Sequence, residues 1–251
     1  MSVPVIVYHQ ITVTKSKDTL CDEGIPATRF ESQMRYLYEH EFETTTPDVI
    51  AESMKGLCQV NKKRVVITFD DGYLDNYEYA FPVLQKYRYS ATIFLVSDCV
   101  GGKRNWGHSS PVPLMDWCHI REMSRYGICF QSHTCTHPDL TTLNHERVSG
   151  ELSNSRKKIE DALGLSVRHL AYPFGAHNPK VMHLVEDAGY SSAFTFGRQG
   201  GSRFCRERFT IHSRDGSLRF ALKTSSLGIW ARKILQGSHL NLDRKTGNTI
   251  F

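Results

Sequence analysis

The run Val65-Val66-Ile67-Thr68-Phe69-Asp70-Asp71-Gly72 decides how the fold is read. Five residues dominated by β-branched and aromatic side chains, with almost no polar alternation, suit a strand buried on both faces of a parallel sheet. The two aspartates and the glycine that follow favour a turn. They place two carboxylates side by side at the carboxyl end of that strand. Comparable runs recur on both sides of it, at Val5–Tyr8, 91–96, 127–130, 168–172, Ser192–Phe196 and 209–211. Between them lie segments of helical period with recognisable ends. Thr28 precedes Phe30, Met34, Leu37 and Tyr38, and Pro47 precedes Val49, Ile50 and Met54. Asn144 opens a long segment carrying Val148, Leu152, Ile159 and Leu163 that stops at Gly164. Asn178-Pro179 opens another, through Val181, Leu184, Val185 and Ala188 to Gly189. Strands alternating with helices predict one α/β domain, its sheet open or closed into a barrel, with functional residues at the carboxyl ends of the strands.

Composition agrees and excludes several classes. The 251 residues are 40% hydrophobic and 23% charged, as in an ordinary globular protein, which excludes a disordered or collagenous chain. The net charge of +5 is mild, and Lys62-Lys63-Arg64 is the only tight basic cluster. It stands at a strand entrance, so a nucleic-acid partner is not expected. The seven cysteines are odd in number and form no CxxC pair, which predicts reduced thiols. No stretch approaches the ~20 apolar residues of a membrane span, and the N-terminus lacks the pattern of a secretory signal. These features predict a cytoplasmic protein.

Three strand ends carry chemistry. Adjacent carboxylates such as Asp70 and Asp71 repel unless a cation or a shared proton relieves them, so one can bind a metal while the other moves protons. The run 127–131 leads into Ser132-His133-Thr134-Cys135-Thr136-His137-Pro138, where two imidazoles three residues apart can reach one ion. With one aspartate they make three N/O ligands and leave positions open for water, the ligand count of a catalytic zinc site. Cys135 reads as packing. Val5–Tyr8 ends in His9, and a fourth strand ends in Pro173-Phe174-Gly175. Each signal has an ordinary alternative, since Asp-Asp-Gly is a frequent turn and twelve histidines produce chance pairs. Their shared position at strand ends is what joins them.

Taken in order, Thr68-Phe69-Asp70-Asp71-Gly72, Ser132-His133-Thr134-Cys135-Thr136-His137-Pro138-Asp139-Leu140 and Ala171-Tyr172-Pro173-Phe174-Gly175 resemble the first three motifs of the polysaccharide deacetylases, the family 4 carbohydrate esterases. The resemblance runs from about residue 3 to residue 213 and implies a distorted (β/α)7 barrel. It implies Asp71, His133 and His137 as ligands of a divalent metal, usually zinc in that family. It implies Asp70 as general base, the Phe174 main-chain N–H in an oxyanion hole, and Thr134, Tyr172 and Pro173 as supporting residues. Tyr8 and Trp106 would line the substrate cleft. Pro4-Val5-Ile6-Val7-Tyr8-His9 resembles the permuted poly-N-acetylglucosamine deacetylases, which take the general acid from the N-terminal end, so His9 is the expected acid. His212, in Thr210-Ile211-His212, is its rival. Ala171 stands where the family often has an arginine that orients the base, which leaves the partner of Asp70 open.

The implied reaction is hydrolysis of N-acetyl groups on a sugar or glycan precursor, lipid-linked or nucleotide-linked, with release of acetate. Lack of an export signal favours a cytoplasmic precursor over a finished polymer. Other readings are an O-acetyl esterase, a non-catalytic sugar-binding relative, and an oxygenase using two histidines and one carboxylate. The expected boundaries are a catalytic domain over 1–215 and a tail over 216–251. In the tail, Leu218, Phe220, Leu222, Leu227, Trp230, Ala231, Ile234 and Leu235 mix with Arg219, Lys223, Arg232 and Lys233. That pattern predicts a basic amphipathic helix packed on the barrel, with peripheral membrane contact as the second reading.

Overall fold

In the computed structural model, residues 3–13, 24–54, 63–104, 106, 111–196, 202–225 and 228 are described. The chain runs through β1 (Val5–Tyr8), β2 (Gln10–Thr12), β3 (Gly24–Pro26), α1 (Ala27–Glu39), β4 (Glu43–Thr44), α2 (Pro47–Met54) and β5 (Arg64–Phe69). A π-helical turn (Asn76–Ala80) leads into α3 (Phe81–Tyr87), followed by β6 (Thr92–Leu95), α4 (Trp117–Arg125), β7 (Cys129–Ser132) and α5 (His145–Leu163). It ends with β8 (His169–Ala171), α6 (Pro179–Asp187), β9 (Ser192–Phe196), β10 (Arg206–Thr210) and α7 (Ser217–Thr224). Seven strands form a closed parallel barrel in the order β1-β5-β6-β7-β8-β9-β10, with β10 returning to β1. Those seven correspond to the seven apolar runs of the sequence. Outside the barrel, β4 extends β5 and β2 pairs with β3.

Because side chains alternate along a strand, β1, β5, β6, β8 and β9 each feed two cores. Val5, Val66, Phe94, Ala171 and Phe194 form a small cluster together with Val3 and Ile50. Their neighbours Ile6, Tyr8, Ile67, Phe69, Ile93, Leu95, Leu170 and Tyr172 join the larger cluster made with the helices. Both faces of β1, β6 and β8 are buried throughout, which is why those sequences read as continuous apolar runs, whereas in β10 only Arg208 is buried.

The helix ends follow local chemistry. The Asn144 side chain accepts the Arg147 N–H at the start of α5, and Gly164 ends it with a left-handed φ of 67°. Asn178 caps α6 through the Val181 N–H, one residue before Pro179. Two helices, α3 and α4, were not anticipated from the sequence. The second is set by Asp116, which accepts the Cys118 and His119 N–H groups. The last barrel strand also starts earlier than expected, at Arg206, with charged residues inside it.

Of the expected tail helix, α7 is described: Phe220 is buried, while Leu218 is 88% exposed. Leu227, Trp230, Ala231, Arg232, Lys233, Ile234 and Leu235 lie outside the described residues, as do Cys21 and Cys58. The described cysteines, Cys99, Cys118, Cys129, Cys135 and Cys205, are free thiols. Among the described residues, no helix is long and apolar enough to cross a membrane.

Candidate active site

The carboxyl ends of β1, β5, β7 and β8 bring the motif residues together. After β5 the chain turns sharply: Asp71 has φ 72° and Gly72 φ 78°. A Cβ on Gly72 would stand 2.7 Å from Leu95 Cδ2, so this position requires glycine. Among the described residues, six that are not glycine have positive φ, and four of them (Asp71, Thr134, His137 and Phe174) belong to this cluster. Strain concentrated in this way marks a site whose geometry is held by its surroundings.

Asp71, His133 and His137 form a buried trio whose ligand atoms all lie within 4.8 Å of one another. Asp71 Oδ1 stands 3.5 Å from His133 Nε2 and 3.3 Å from His137 Nε2. That oxygen is buried with no hydrogen-bond partner, an arrangement that a cation would satisfy. His133 Nδ1 lies 2.7 Å from the Ala171 carbonyl oxygen. A carbonyl only accepts, so Nδ1 carries a proton and Nε2 is the ring nitrogen turned toward Asp71. The main chain of Ala171 thus orients a ligand at the position where the family often has arginine.

His137 is held by rings. Trp106 stacks on it at 4.4 Å and 15°, and Phe174 meets it edge-on at 4.7 Å. Burial, together with His133 beside it, drives the His137 imidazole down to about 2 and keeps it neutral. Burial raises the Asp71 carboxyl above its ordinary value. A neutral His137, His133 with its Nε2 turned to the same point, and one orphaned carboxylate oxygen fit a divalent cation.

Asp70 points the other way and has a different partner. Arg208, from β10, makes a bidentate pair with it, both contacts 2.7 Å, and both side chains are fully buried. Arg208 also donates to Thr68 Oγ1 at 3.3 Å and lies over the Phe94 ring. Burial pushes the Asp70 carboxyl up, but Arg208, with His133 and His9, outweighs it and holds the group at about 2. This arginine is the partner the sequence left open. Its signal was a charged residue inside a run of barrel strand, but with Arg203, Arg206, Arg208 and Arg214 all close by, only the closed barrel selects it.

His9 follows β1, and its Nε2 is 3.9 Å from Asp70 Oδ2. His212 follows β10 at the same end of the barrel, where its main-chain N–H donates to Asp215 Oδ2 at 2.8 Å. Phe174 sits in the turn Pro173–Gly175, and its side chain is 53% exposed. The Gly175 carbonyl of that turn accepts from Thr195 Oγ1 at 2.8 Å and lies 2.9 Å from His177 Nδ1. Thr134 Oγ1 accepts the His137 N–H at 3.1 Å, bracing the histidine loop.

Tyr8 corrects an expectation. It is fully buried, donates to Gln33 Oε1 at 2.8 Å, and packs on Phe30 and Phe69. It therefore lines no cleft. The period of two sends Tyr8 to the helix side of β1. Tyr172 is likewise buried, donating to the Phe204 carbonyl at 2.9 Å.

A closed parallel barrel thus carries an Asp-His-His cluster, a possible metal site, at the carboxyl end of its strands. Residues 58–193 match the polysaccharide deacetylase family model, and the chain belongs to that family, one of hydrolytic deacetylases. YxkH of Bacillus subtilis (strain 168), whose name places it among polysaccharide deacetylases, is 30% identical over 80% of this chain and 66% of its own length. The poly-beta-1,6-N-acetyl-D-glucosamine N-deacetylase of Staphylococcus aureus (strain MRSA252) is 26% identical over 68% of this chain and 61% of its own. The chain thus spans somewhat under two thirds of the length of these curated relatives. The Streptococcus pyogenes deacetylase PplD, solved with acetate, shares the fold with a TM-score of 0.79 at 22% identity, over 90% of this chain and 99% of that one.

Proposed function

We propose that this chain is a metal-dependent hydrolase that removes acetyl groups from N-acetylated sugars and releases acetate, with Zn²⁺ as its ion. The observation that carries this reading is the pairing of a buried Asp71–His133–His137 trio with an adjacent aspartate, Asp70, that has its own arginine and a histidine at 3.9 Å. A non-haem oxygenase site would give the second aspartate no task.

A divalent cation held by Asp71, His133 and His137 would supply Lewis acidity, polarising the acetyl carbonyl and activating water. Asp70 takes the proton of the attacking water, while Arg208 keeps that carboxyl ionised and aimed. The Phe174 N–H donates to the oxyanion as it develops. His9 delivers a proton to the departing nitrogen, because an amide nitrogen leaves poorly without one. An O-acetyl ester would use the same groups and depend less on His9, since an alkoxide leaves more easily.

The name of the staphylococcal relative supports N-acetylglucosamine as the sugar. The test is acetate release, with and without chelator, from free, nucleotide-linked, lipid-linked and polymeric N-acetyl sugars. Chelation and Asp71→Asn should each abolish release. Full activity in Asp71→Asn would overturn the assignment.

A further inference from the structure

We propose that Glu151 is a positioning residue for the metal centre, setting ion affinity by clamping the loop between the two histidine ligands. The inference rests on the metal-hydrolase reading above. Thr134, Cys135 and Thr136 join His133 to His137, and both Thr134 (φ 70°) and His137 (φ 62°) are left-handed. Such a conformation is costly for residues other than glycine and persists only where neighbours over-determine it.

Two sets of contacts do so. On one side, the Ser97 and Asp98 N–H groups donate to the Thr134 and Cys135 carbonyls at 3.1 and 3.0 Å. On the other, Glu151 Oε2 accepts the Cys135 N–H at 2.8 Å and the Thr136 N–H at 2.9 Å, and Oε1 accepts the Thr136 hydroxyl at 2.6 Å. One carboxylate therefore receives three donors from two successive loop residues. It is the only side chain, among the described residues, recorded as accepting both of those N–H groups.

The clamp is anchored by its helix. Glu151 lies on α5, whose Val148, Leu152, Ser155 and Ile159 are buried. Ser155, four residues on, reaches Ser132 Oγ at 2.8 Å, and Ser132 Oγ accepts the Thr134 N–H at 3.2 Å. Positions i and i+4 of a helix lie on one face, so α5 grips the loop at two points. Partners that orient ligands in this way typically contribute 10–100-fold in metal affinity.

The test measures Zn²⁺ affinity of metal-stripped protein by competition with a chromogenic chelator, alongside melting of the stripped protein. Glu151→Ala should weaken Zn²⁺ binding by about 10–100-fold. Glu151→Gln should weaken it less, because its amide oxygen still accepts the paired N–H groups, and excess Zn²⁺ should restore its kcat for acetate release. Arg156→Ala serves as the control. Arg156 is on the same helix but donates to the Ala188 carbonyl at 2.9 Å, away from the loop, so its loss should lower melting without changing Zn²⁺ affinity. Wild-type affinity in both Glu151 variants, or equal weakening in Arg156→Ala, would overturn the role of Glu151 and leave the metal reading standing. Wild-type protein that binds no Zn²⁺, or Asp71→Asn that binds as tightly as wild type, would overturn both. If Glu151→Ala does not fold, Glu151→Gln decides.

Discussion

Asp70 and Asp71 are neighbours in the chain, yet they meet opposite surroundings. Asp71 Oδ1 is buried and orphaned, while Asp70 has both oxygens paired with Arg208. In the proposed reaction that difference separates the ligand from the base. Arg208→Met should lower kcat at least 100-fold and destabilise the fold by about 3–5 kcal/mol, since removing one member of a buried pair strands the other. Acetate release and urea unfolding of the variant check both effects. The two candidate acids separate by their dependence on the leaving group. His9→Asn should reduce N-acetyl hydrolysis by about 100-fold or more, yet reduce hydrolysis of an aryl acetate far less, because a phenolate leaves without a proton. His212→Asn should leave that ratio unchanged. The opposite pattern would move the role to His212.

At the scale of elements, the loop between β5 and the π-helical turn joins the site to the β2–β3 pair. Asp75 Oδ1 accepts the Ile11 N–H at 3.1 Å and the Asn76 amide at 2.8 Å, and Asn76 in turn donates to the His9 carbonyl at 2.9 Å. Burial, opposed by those hydrogen bonds, raises the Asp75 carboxyl from 3.8 to about 7. The native state thus holds a proton that the unfolded chain gives up. That contribution is complete below the unfolded value near 3.8 and is lost as pH rises through about 7. Asp75→Asn should therefore flatten the pH dependence. Between pH 5 and 8 the wild type should lose on the order of 1–4 kcal/mol more unfolding free energy than the variant. Urea titrations at the two pH values measure this directly. Such coupling through Asn76 to the main chain of His9 had no sequence signature beyond Asp75-Asn76, which reads as an ordinary turn pair.

Across the whole molecule, the trio joins two separate strands of the barrel. Asp71 follows β5 and the histidines follow β7, with β6 between them. An ion held there binds only the closed barrel, so it stabilises by mass action. At Zn²⁺ one hundred times its Kd the gain is about 2.7 kcal/mol, which for a chain of this size is a rise in Tm of about 5–10 °C. Calorimetry with and without chelator should show it, and Asp71→Asn should remove the difference. A melting temperature indifferent to Zn²⁺ in the wild type would contradict the proposed centre.

Much of this was legible in the chain itself. Strands buried on both faces are mostly apolar, so six barrel strands were visible as runs and β10 showed only its end at 209–211, while helix caps such as Asn144 and Asn178 act on groups three residues away. The paired aspartates and the His133–His137 spacing are local in the same sense. Contacts between distant parts of the chain were not legible. Arg208 meets Asp70 across 138 positions, and Glu151 meets Cys135 across 16, from the helix that follows the loop. Tyr8 turned to the helices because its place in the period of two depends on where the barrel closes. The sequence by itself determined the strands, the caps and the ligand types, because those follow from near-neighbour sterics and burial. Only the tertiary structure decided which arginine pairs with Asp70 and which carboxylate accepts from the loop between His133 and His137. The first choice depends on β1 joining β10 to β5 as the barrel closes and the second on how α5 packs against β7, and local pattern encodes neither.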